Sequence, residues 1–244
     1  AELAIRPIYQ AYRQMQQFTA DAAHELRTPL AAIQATAQSN LMLPSLSEEQ
    51  AKDTLKTIVR QNKRLSYLVA DLLTLCRIDG ELSSSKAGQV KQDKISLAEL
   101  MIEVEEELAA LAIASKINLK SQISVSEQLK VIGDRQQLYR LIINLVTNAI
   151  QYTPAGGKVT LSLTEEHHNA IICIRDTGIG ISKTEQKRIF DRFYRVDQAR
   201  SRSQGGAGLG LAIAKAIAVA HRGSIEVESS LGQGSNFTVR LPKL

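Results

Sequence analysis

The sequence has few cysteines and no long apolar run, and each shortage excludes a class of protein. Its 244 residues include two cysteines, Cys76 and Cys173, which lie far apart and form no CxxC pair. This favours two buried thiols in a reducing compartment over a disulfide or a zinc site. No stretch approaches the roughly 20 apolar residues that a bilayer-spanning helix needs, and no secretory leader opens the chain. We therefore expect these residues to insert in no membrane.

Basic clusters and one common phosphate-binding motif are also missing. The net charge is a mild +5, aromatic residues make up 4% of the chain, and Lys and Arg form no basic arm interleaved with aromatics. We expect no nucleic-acid partner. The pattern GxxxxGK[ST] does not occur, which excludes a Walker-type phosphate loop.

The length and a polar segment together predict two domains. The chain is longer than a typical single domain of roughly 100–150 residues. The segment DGELSSSKAGQVKQDK is rich in Ser, Gly and Lys and has no period, as is typical of a linker. We predict a helical domain over 1–80, a linker over 81–95 and a domain of mixed strands and helices over 96–244.

The first half contains two apolar stripes with helical spacing. Between the helices, Ser47 and Gln50 have the pattern of a capping box. A hairpin of two helices of about 30 residues is too thin to bury both stripes, so we predict a homodimeric four-helix bundle. Asn62 lies on the second stripe, where it either fixes register or occupies a solvated edge. The stripes are Met15, Phe18, Ala22, Leu26, Leu30, Ile33, Ala37 and Leu41, then Ala51, Leu55, Ile58, Leu65, Val69, Leu72 and Cys76.

One histidine in the first helix has an unusual setting. At 100° per residue, His24 lies nearly opposite the apolar stripe, with Asp21 and Thr28 on its own face. Pro29 falls inside the helical pattern, where it frees the carbonyl of Glu25 at a cost of about 3 kcal/mol. We predict an exposed imidazole beside a bend in the helix.

The run FTADAAHELRTPLAAI at 18–33 resembles the phospho-acceptor box of the sensor histidine kinases. The resemblance implies that His24 is the nucleophile, that Glu25 orients or deprotonates its ring, and that Thr28 positions water for a phosphatase reaction. The chemistry agrees, because a carboxylate that accepts one ring N–H keeps the other nitrogen's lone pair available as a P–N bond forms.

Four further segments resemble, in the right order, the nucleotide-binding boxes of the same family. They are NLVTNAIQYT at 144–153, DTGIG at 176–180, RIFDRFYRVD at 188–197 and GGAGLGLAIAK at 205–215. The resemblance implies an α+β chain: a dimeric helical hairpin followed by an α/β sandwich that binds ATP, shared with gyrase-type and chaperone-type ATPases. Short β-branched runs between helical stretches predict strands and also favour that second domain. These runs are SVSEQLKVI, GKVTLSL, AIICIRD, GSIEVES and SNFTVRLP.

The asparagine box suits a metal ion and a purine. Asn144 and Asn148 are four residues apart, hence on one helix face, where hard amide oxygens suit Mg²⁺. Tyr152 either stacks beside adenine or packs against the domain. Gln151 stands where many family members carry Lys or Arg near the phosphates, so either nucleotide affinity is lower or Lys158 or a lid arginine compensates.

The glycine-containing boxes suit a nucleotide's base and phosphates. By resemblance, Asp176 accepts the adenine amino group, and Gly178 and Gly180 let the backbone approach the base. Free N–H groups where a glycine loop becomes a helix favour phosphate. The predicted phosphate-binding residues are Gly206, Gly208, Leu209 and Gly210.

The segment between these boxes resembles a mobile lid. Phe190 and Phe193 are predicted to pack at its hinge, and Arg195 is predicted to meet the γ-phosphate. An arginine-rich loop is also compatible with simple solvation. The other lid arginines are Arg192, Arg200 and Arg202.

The resemblance implies ATP and Mg²⁺ as cofactors, a response-regulator receiver domain as partner, and phosphatase action on that partner. It also implies that the chain is the cytoplasmic portion of a bacterial receptor anchored in the inner membrane by an upstream segment. Related ATPases carry a glutamate at the position of Asn144, so a kinase is favoured over an ATPase clamp. A non-catalytic signalling scaffold is the other alternative, and it would keep the helical hairpin but tolerate loss of the glycines. His167 and His168 lie in a turn and make a poor metal pair. The helix dipole and a C-cap explain His221.

Overall fold

A computed structural model describes residues 2–83, 93–124, 129–196 and 207–244. The chain forms two compact units, one built mainly from Ala1–Thr74 and the other from Leu75–Ala199 with Gly208–Leu244. Among the described helices, none has the length and apolar content that crossing a bilayer requires. The helices are α1 Glu2–Leu41, α2 Glu48–Ser83, α3 Leu97–Ala114, α4 Arg135–Tyr152, α5 Lys183–Gln186 and α6 Gly210–Ala220. The strands are β1 Asp93–Ser96, β2 Asn118–Ile123, β3 Lys130–Gly133, β4 Lys158–Glu166, β5 Asn169–Asp176, β6 Ser224–Ser230 and β7 Gly234–Pro242.

The two predicted helices of the first half are confirmed as α1 and α2. The capping box at the start of α2 is confirmed as well: the Gln50 N–H donates to Ser47 Oγ at 3.2 Å, and the Ser47 N–H donates to Gln50 Oε1 at 3.0 Å. These bonds satisfy two donors that a helix start leaves open. Pro29 is buried, and α1 continues through it as one helix.

The predicted apolar stripe of α2 straddles two faces of the helix. Ile58, Leu65 and Leu72 are half-buried. Leu55 and Val69, by contrast, are 61% and 41% exposed. Steps of three and four residues rotate in opposite directions around a helix, so a stripe chosen by spacing alone can cross the boundary of a buried face. Asn62 lies among the exposed residues, and its role in register stays a prediction. The prediction that both cysteines are buried is wrong, because Cys76 on α2 is exposed and Cys173 on β5 is half-buried.

The second unit is a two-layer sandwich, as predicted. Its main sheet has the order β2-β4-β5-β7-β6, with β2 parallel to β4 and the other pairs antiparallel, and β1 pairs with β3 in a small separate sheet. Helices α3, α4 and α6 contact the main sheet. The predicted strands in GKVTLSL, AIICIRD, GSIEVES and SNFTVRLP are confirmed. Strand β3 overlaps the end of the predicted run SVSEQLKVI, of which residues 125–128 lie outside the described residues. The sequence did not reveal β1 and β2. Strand β1 begins within the segment predicted to be the linker, and α2 ends within it.

One face of the main sheet carries the core. Leu161 of β4 lies opposite Ile174 of β5, which lies opposite Phe237 of β7, and all three are at most 2% exposed. The alternate positions, such as Thr160 and Arg175, are not buried. Because side chains alternate between the two faces of a strand, the apolar ones lie on the face that the helices cover. Polar groups can then lie at the ends of the strands and helices, outside this core.

Candidate functional site

The helical unit presents His24 on the surface of α1. Its side chain is exposed, as the helical-wheel argument predicts, and Thr28 one turn later is exposed as well. The Thr28 hydroxyl donates to the His24 backbone carbonyl at 3.2 Å, a bond common for threonine inside helices. The imidazole is therefore accessible to other molecules.

The carboxylate of Glu25 pairs with Arg64 of α2, a residue that the sequence reasoning missed. The Arg64 Nη2 and Glu25 Oε2 atoms are 3.6 Å apart, and the two side chains are 20% and 29% exposed. Both Glu25 and His24 are described, and no hydrogen bond joins their side chains. No sequence signal distinguished Arg64 from the other basic residues of α2, because the pairing depends on how the two helices face each other.

The asparagine box lies on α4, which begins at a strong cap. The Asp134 carboxylate accepts the N–H groups of Gln136 and Gln137 at 2.8 and 3.0 Å. Asn144 donates from Nδ2 to the Gly210 carbonyl at 3.2 Å, which leaves its Oδ1 outside that bond. Asn148, one turn further along the same face, is half-buried.

These two amide oxygens fit a magnesium ion. Mg²⁺ prefers hard oxygen ligands and keeps several waters or phosphate oxygens, so it needs only one or two ligands from the protein. Within the described residues, no cluster of three or more His, Cys, Asp or Glu side chains offers a different metal site. Asn144 and Asn148 are therefore suitable candidates to hold a phosphate-bound ion.

Asp176, at the end of β5, is buried with one oxygen already occupied. Its Oδ1 accepts the N–H groups of Gly178 at 2.8 Å and Ser235 at 3.1 Å, and the residue is 5% exposed. Burial raises the pKa of Asp176, and the two backbone hydrogen bonds partly oppose that rise. Because both bonds end on Oδ1, Oδ2 remains as an acceptor for a ligand's N–H group.

The glycines near Asp176 allow close approach of the protein's own backbone. A Cβ at Gly178 would lie 2.4 Å from the Tyr152 carbonyl oxygen. Gly180 has a φ of +70°, and a Cβ there would lie 2.0 Å from the Ser230 carbonyl oxygen. Gly234 was missed by the sequence reasoning, yet its φ is +87° and a Cβ there would lie 2.1 Å from the Asp176 carbonyl oxygen.

Tyr152 holds this loop through its main chain. Its carbonyl oxygen accepts the Ile179 N–H at 3.2 Å, while the residue as a whole is 39% exposed. The stacking role of the Tyr152 ring stays a prediction. Gln151 and Lys158 are half-buried and exposed, respectively, and whether Lys158 compensates for Gln151 is likewise a prediction.

The glycine box opens α6 without a side-chain cap. Leu209 is the N-cap residue, is 1% exposed, and makes no side-chain capping bond. The first N–H groups of α6 therefore have no side-chain acceptor at the cap, the arrangement that favours phosphate. Gly208 has a φ of +73°, and a Cβ there would lie 2.9 Å from the Tyr194 carbonyl oxygen. Gly206 lies outside the described residues.

The base of the predicted lid is tied to the domain by several contacts. Phe193, with a left-handed φ of 61°, donates its N–H to the Gly208 carbonyl at 3.0 Å. Phe190 packs edge-on against Phe237, with ring centroids 6.4 Å apart. The Tyr194 hydroxyl donates to Glu185, which raises the pKa of that tyrosine.

The lid arginines differ in their surroundings. Arg192 donates to both carboxylate oxygens of Asp79 at 2.8 Å, so its charge is paired within the same unit. Arg195 is half-buried, and its contact with a γ-phosphate stays a prediction. Arg200 and Arg202 lie outside the described residues.

The remaining histidines belong to no group of three or more His, Cys, Asp or Glu side chains within the described part of the chain. His167 and His168 lie in the β4–β5 turn, both exposed. The C-cap position predicted for His221 is confirmed, but the dipole explanation is incomplete because its ring is buried and hydrogen-bonded on both nitrogens.

Each half of the chain matches a known family of protein domains. The family described as His Kinase A (phospho-acceptor) domain matches residues 14–81. The family described as histidine kinase-, DNA gyrase B-, and HSP90-like ATPase matches residues 133–244. Together these matches cover about three quarters of the chain and include every described candidate site residue.

Individual proteins agree with the family matches. The chain is 50% identical over 242 residues to sensor histidine kinase RppB of Synechocystis sp., covering 99% of this chain and 52% of that protein. The structure of Acinetobacter baumannii histidine kinase AdeS is 26% identical with a TM-score of 0.71, covering 90% of this chain and 97% of AdeS. Full-length ShkA in complex with AMPPNP is 26% identical with a TM-score of 0.67, covering 94% of this chain and 46% of ShkA. The chain thus spans about half the length of the curated relative RppB.

Proposed function

The chain belongs to the sensor histidine kinases, and from this membership we propose that it phosphorylates its own His24 with Mg-ATP and passes the phosphoryl group to an aspartate on a response-regulator receiver domain. One observation carries the proposal: the same chain has an exposed imidazole on α1 and, in its ATP-binding unit, an asparagine at position 144 of α4. An amide cannot act as the general base that activates water, so the phosphoryl group is kept for the imidazole.

The acceptor reaction is a displacement at the γ-phosphorus of ATP. A nitrogen of neutral His24 supplies the electron pair of the new P–N bond, while the bond from the γ-phosphorus to the bridging oxygen breaks and ADP leaves with that electron pair. Glu25 is the proposed acceptor of the proton on the other ring nitrogen. The Glu25 carboxylate also lies 3.6 Å from Arg64, so the imidazole competes with that cation for the carboxylate.

The second unit is proposed to position the nucleotide. The open Oδ2 of Asp176 accepts the adenine amino group, the N-terminus of α6 binds phosphate, and Arg195 meets the γ-phosphoryl group. When bound, Mg²⁺ neutralises phosphate charge, and the amide oxygens of Asn144 and Asn148 are the residues that fit it.

A second copy of the chain is the proposed partner of the helical hairpin. Leu30, Leu41 and Leu55 are 50%, 83% and 61% exposed, and a four-helix bundle would cover them. Phosphatase action through Thr28, and attachment to an inner membrane through a segment beyond this sequence, are further proposals that rest on the family.

Incubation with γ-labelled ATP and Mg²⁺ tests the function. We expect protein-bound phosphate that is labile in acid and stable in alkali, the behaviour of a phosphoramidate. His24→Gln should abolish it, whereas His168→Gln, a matched change of an exposed histidine in a turn, should retain it. Stable labelling of His24→Gln would refute the assignment.

A further inference from the structure

A buried histidine outside the nucleotide boxes joins two of the elements that form them. His221, at the C-cap of α6, is 8% exposed. Its Nδ1 lies 2.8 Å from the Ile217 carbonyl oxygen, and its Nε2 accepts the Asp134 N–H at 3.1 Å. A carbonyl oxygen can only accept a hydrogen bond, so Nδ1 carries the hydrogen and Nε2 is unprotonated. The imidazole is therefore neutral and in a defined tautomer.

The bond to Asp134 reaches the start of the helix that carries the asparagine box. Asp134 caps α4 with its carboxylate and at the same time donates its own N–H to His221. The residue that begins α4 is thus tied directly to the residue that ends α6.

A second hydrogen bond joins the same two helices near the start of α6. Asn144, ten residues after Asp134, donates to the carbonyl of Gly210, the first residue of α6. At 1.5 Å per residue, the two bonds are about 15 Å apart along α4 and a similar distance apart along α6. Helices α4 and α6 therefore run antiparallel, with one polar link at each end of their contact.

Gly133 leaves the space that the ring of His221 occupies. A Cβ at Gly133 would lie 2.3 Å from Cδ2 and 2.5 Å from Nε2 of His221. Gly133 does not have a positive φ, so its backbone would accept a side chain there. Room for the imidazole is thus the reason for a glycine at this position.

We propose that His221 is a positioning residue for the nucleotide site: it fixes the longitudinal register of α6 against α4, and so places the uncapped start of α6 beside Asn144. This inference rests on the proposed function, since it assigns those two elements to phosphate and metal binding. Without the link at the far end, α6 can slide or tilt against α4, because apolar contacts between helices are not directional. The link at Asn144 alone would then have to hold the register.

Two substitutions of His221 distinguish the effect of its hydrogen bond to Asp134 from the effect of filling the buried space. In His221→Gln, the side-chain oxygen reaches the position of Nε2 and can accept the Asp134 N–H. In His221→Asn, the shorter side chain reaches only the position of Nδ1 and leaves that N–H without its acceptor. We expect His221→Asn to raise the dissociation constant of Mg-ATP by about tenfold, and His221→Gln by no more than about threefold. Calorimetric titration of the full 244-residue chain, at a temperature where circular dichroism shows both variants folded, gives these values.

A nucleotide-free measurement keeps this inference separate from the proposed function. The side-chain amide resonances of Asn144 in nitrogen-15 NMR should shift in His221→Asn and stay near the wild-type position in His221→Gln. If the wild-type chain failed to bind Mg-ATP but Asn144 responded in this way, the proposed function would fall and the positioning role would stand. If His221→Asn were folded, bound Mg-ATP like the wild type and left the Asn144 resonances unchanged, the positioning role would be refuted.

Gly133→Ala supplies a matched control. It should displace the imidazole and weaken Mg-ATP binding about as much as His221→Asn does. In a His221→Ala background the collision with the imidazole is absent and only a contact of 3.2 Å with Cδ1 of Leu138 remains, so Gly133→Ala should then cause a much smaller loss. Equal effects of Gly133→Ala in both backgrounds would show that it acts elsewhere, and would contradict the proposed link.

Discussion

Replacement of Asp176 by asparagine should convert the proposed adenine site from an acceptor to a donor at a single atom. The asparagine side-chain oxygen can take the place of Oδ1 and still accept the Gly178 and Ser235 N–H groups, which lie 2.8 and 3.1 Å from it in the wild type. That requirement directs the amide NH₂ to the position of Oδ2. The NH₂ would then face the amino group of adenine, donor against donor.

The magnitude follows from the loss of one hydrogen bond to a charged acceptor. Such bonds contribute about 1.5–3 kcal/mol, which corresponds to a loss of roughly 10- to 150-fold in affinity for Mg-ATP. The folding stability of Asp176→Asn should not fall together with its nucleotide affinity. Burial raises the pKa of Asp176, so its ionised form is disfavoured in the folded protein, and stabilisation present below the unfolded-state pKa is lost as pH rises through the raised folded pKa. Asparagine does not titrate, so the Asp176→Asn variant does not lose folding stability in this way at neutral pH.

The assay is calorimetric titration with Mg-ATP and with Mg-inosine triphosphate, whose base carries an oxygen where adenine carries the amino group. Wild type should prefer ATP, because Asp176 Oδ2 accepts from the amino group. Asp176→Asn should prefer inosine triphosphate, because its amide donates to that oxygen. Equal losses for both nucleotides, or unchanged ATP affinity, would refute the assignment of Oδ2 to the base.

Three other predictions test separate parts of the molecule. Gly180→Ala should lower the melting temperature more than Gly232→Ala in thermal denaturation, because both have a positive φ but a Cβ meets backbone only at Gly180; equal shifts would exclude the clash. Arg64→Gln should raise the initial rate of His24 labelling by up to about fivefold, because it releases Glu25 from a pair worth at most about 1 kcal/mol; a slower rate would mean that Arg64 instead assists Glu25. Leu55→Glu should convert the dimer to a monomer in sedimentation, whereas Ile113→Glu, at a 76% exposed position in the other unit, should not; a dimer of Leu55→Glu would contradict the proposed bundle.

The elements with strong local signals were predictable from the sequence. The capping box of Ser47 and Gln50 is a local pattern, because its bonds join residues three apart. The β-branched residues in GKVTLSL and SNFTVRLP predicted β4 and β7, and they too form a local pattern. Strand β2 was missed because NLKSQI has few apolar residues, and its parallel pairing with β4 depends on a partner 40 residues away.

The parts of the site that were missed depend on contacts distant in sequence. Gly234 and Ser235 reach Asp176 from β7, and Arg64 reaches Glu25 from the neighbouring helix. His221 was assigned to the helix dipole because the sequence shows only its position at the end of α6. Its link to Asp134, which is 87 residues away, appears only when α4 and α6 lie side by side.

The acceptor geometry of Asp176 depends on the register of the sheet. Strand β7 pairs with β5 so that Asn236 lies opposite Arg175, which brings the Ser235 N–H to Oδ1 of Asp176. A slip by one residue would move that N–H away and would also turn Phe237 out of the core, since successive strand residues face opposite sides. Phe237 is 2% exposed, so such a slip would expose a buried aromatic ring. Burial of an apolar residue under the helices thereby fixes which oxygen of Asp176 stays open, and a substitution in the core can alter base selectivity without touching the nucleotide.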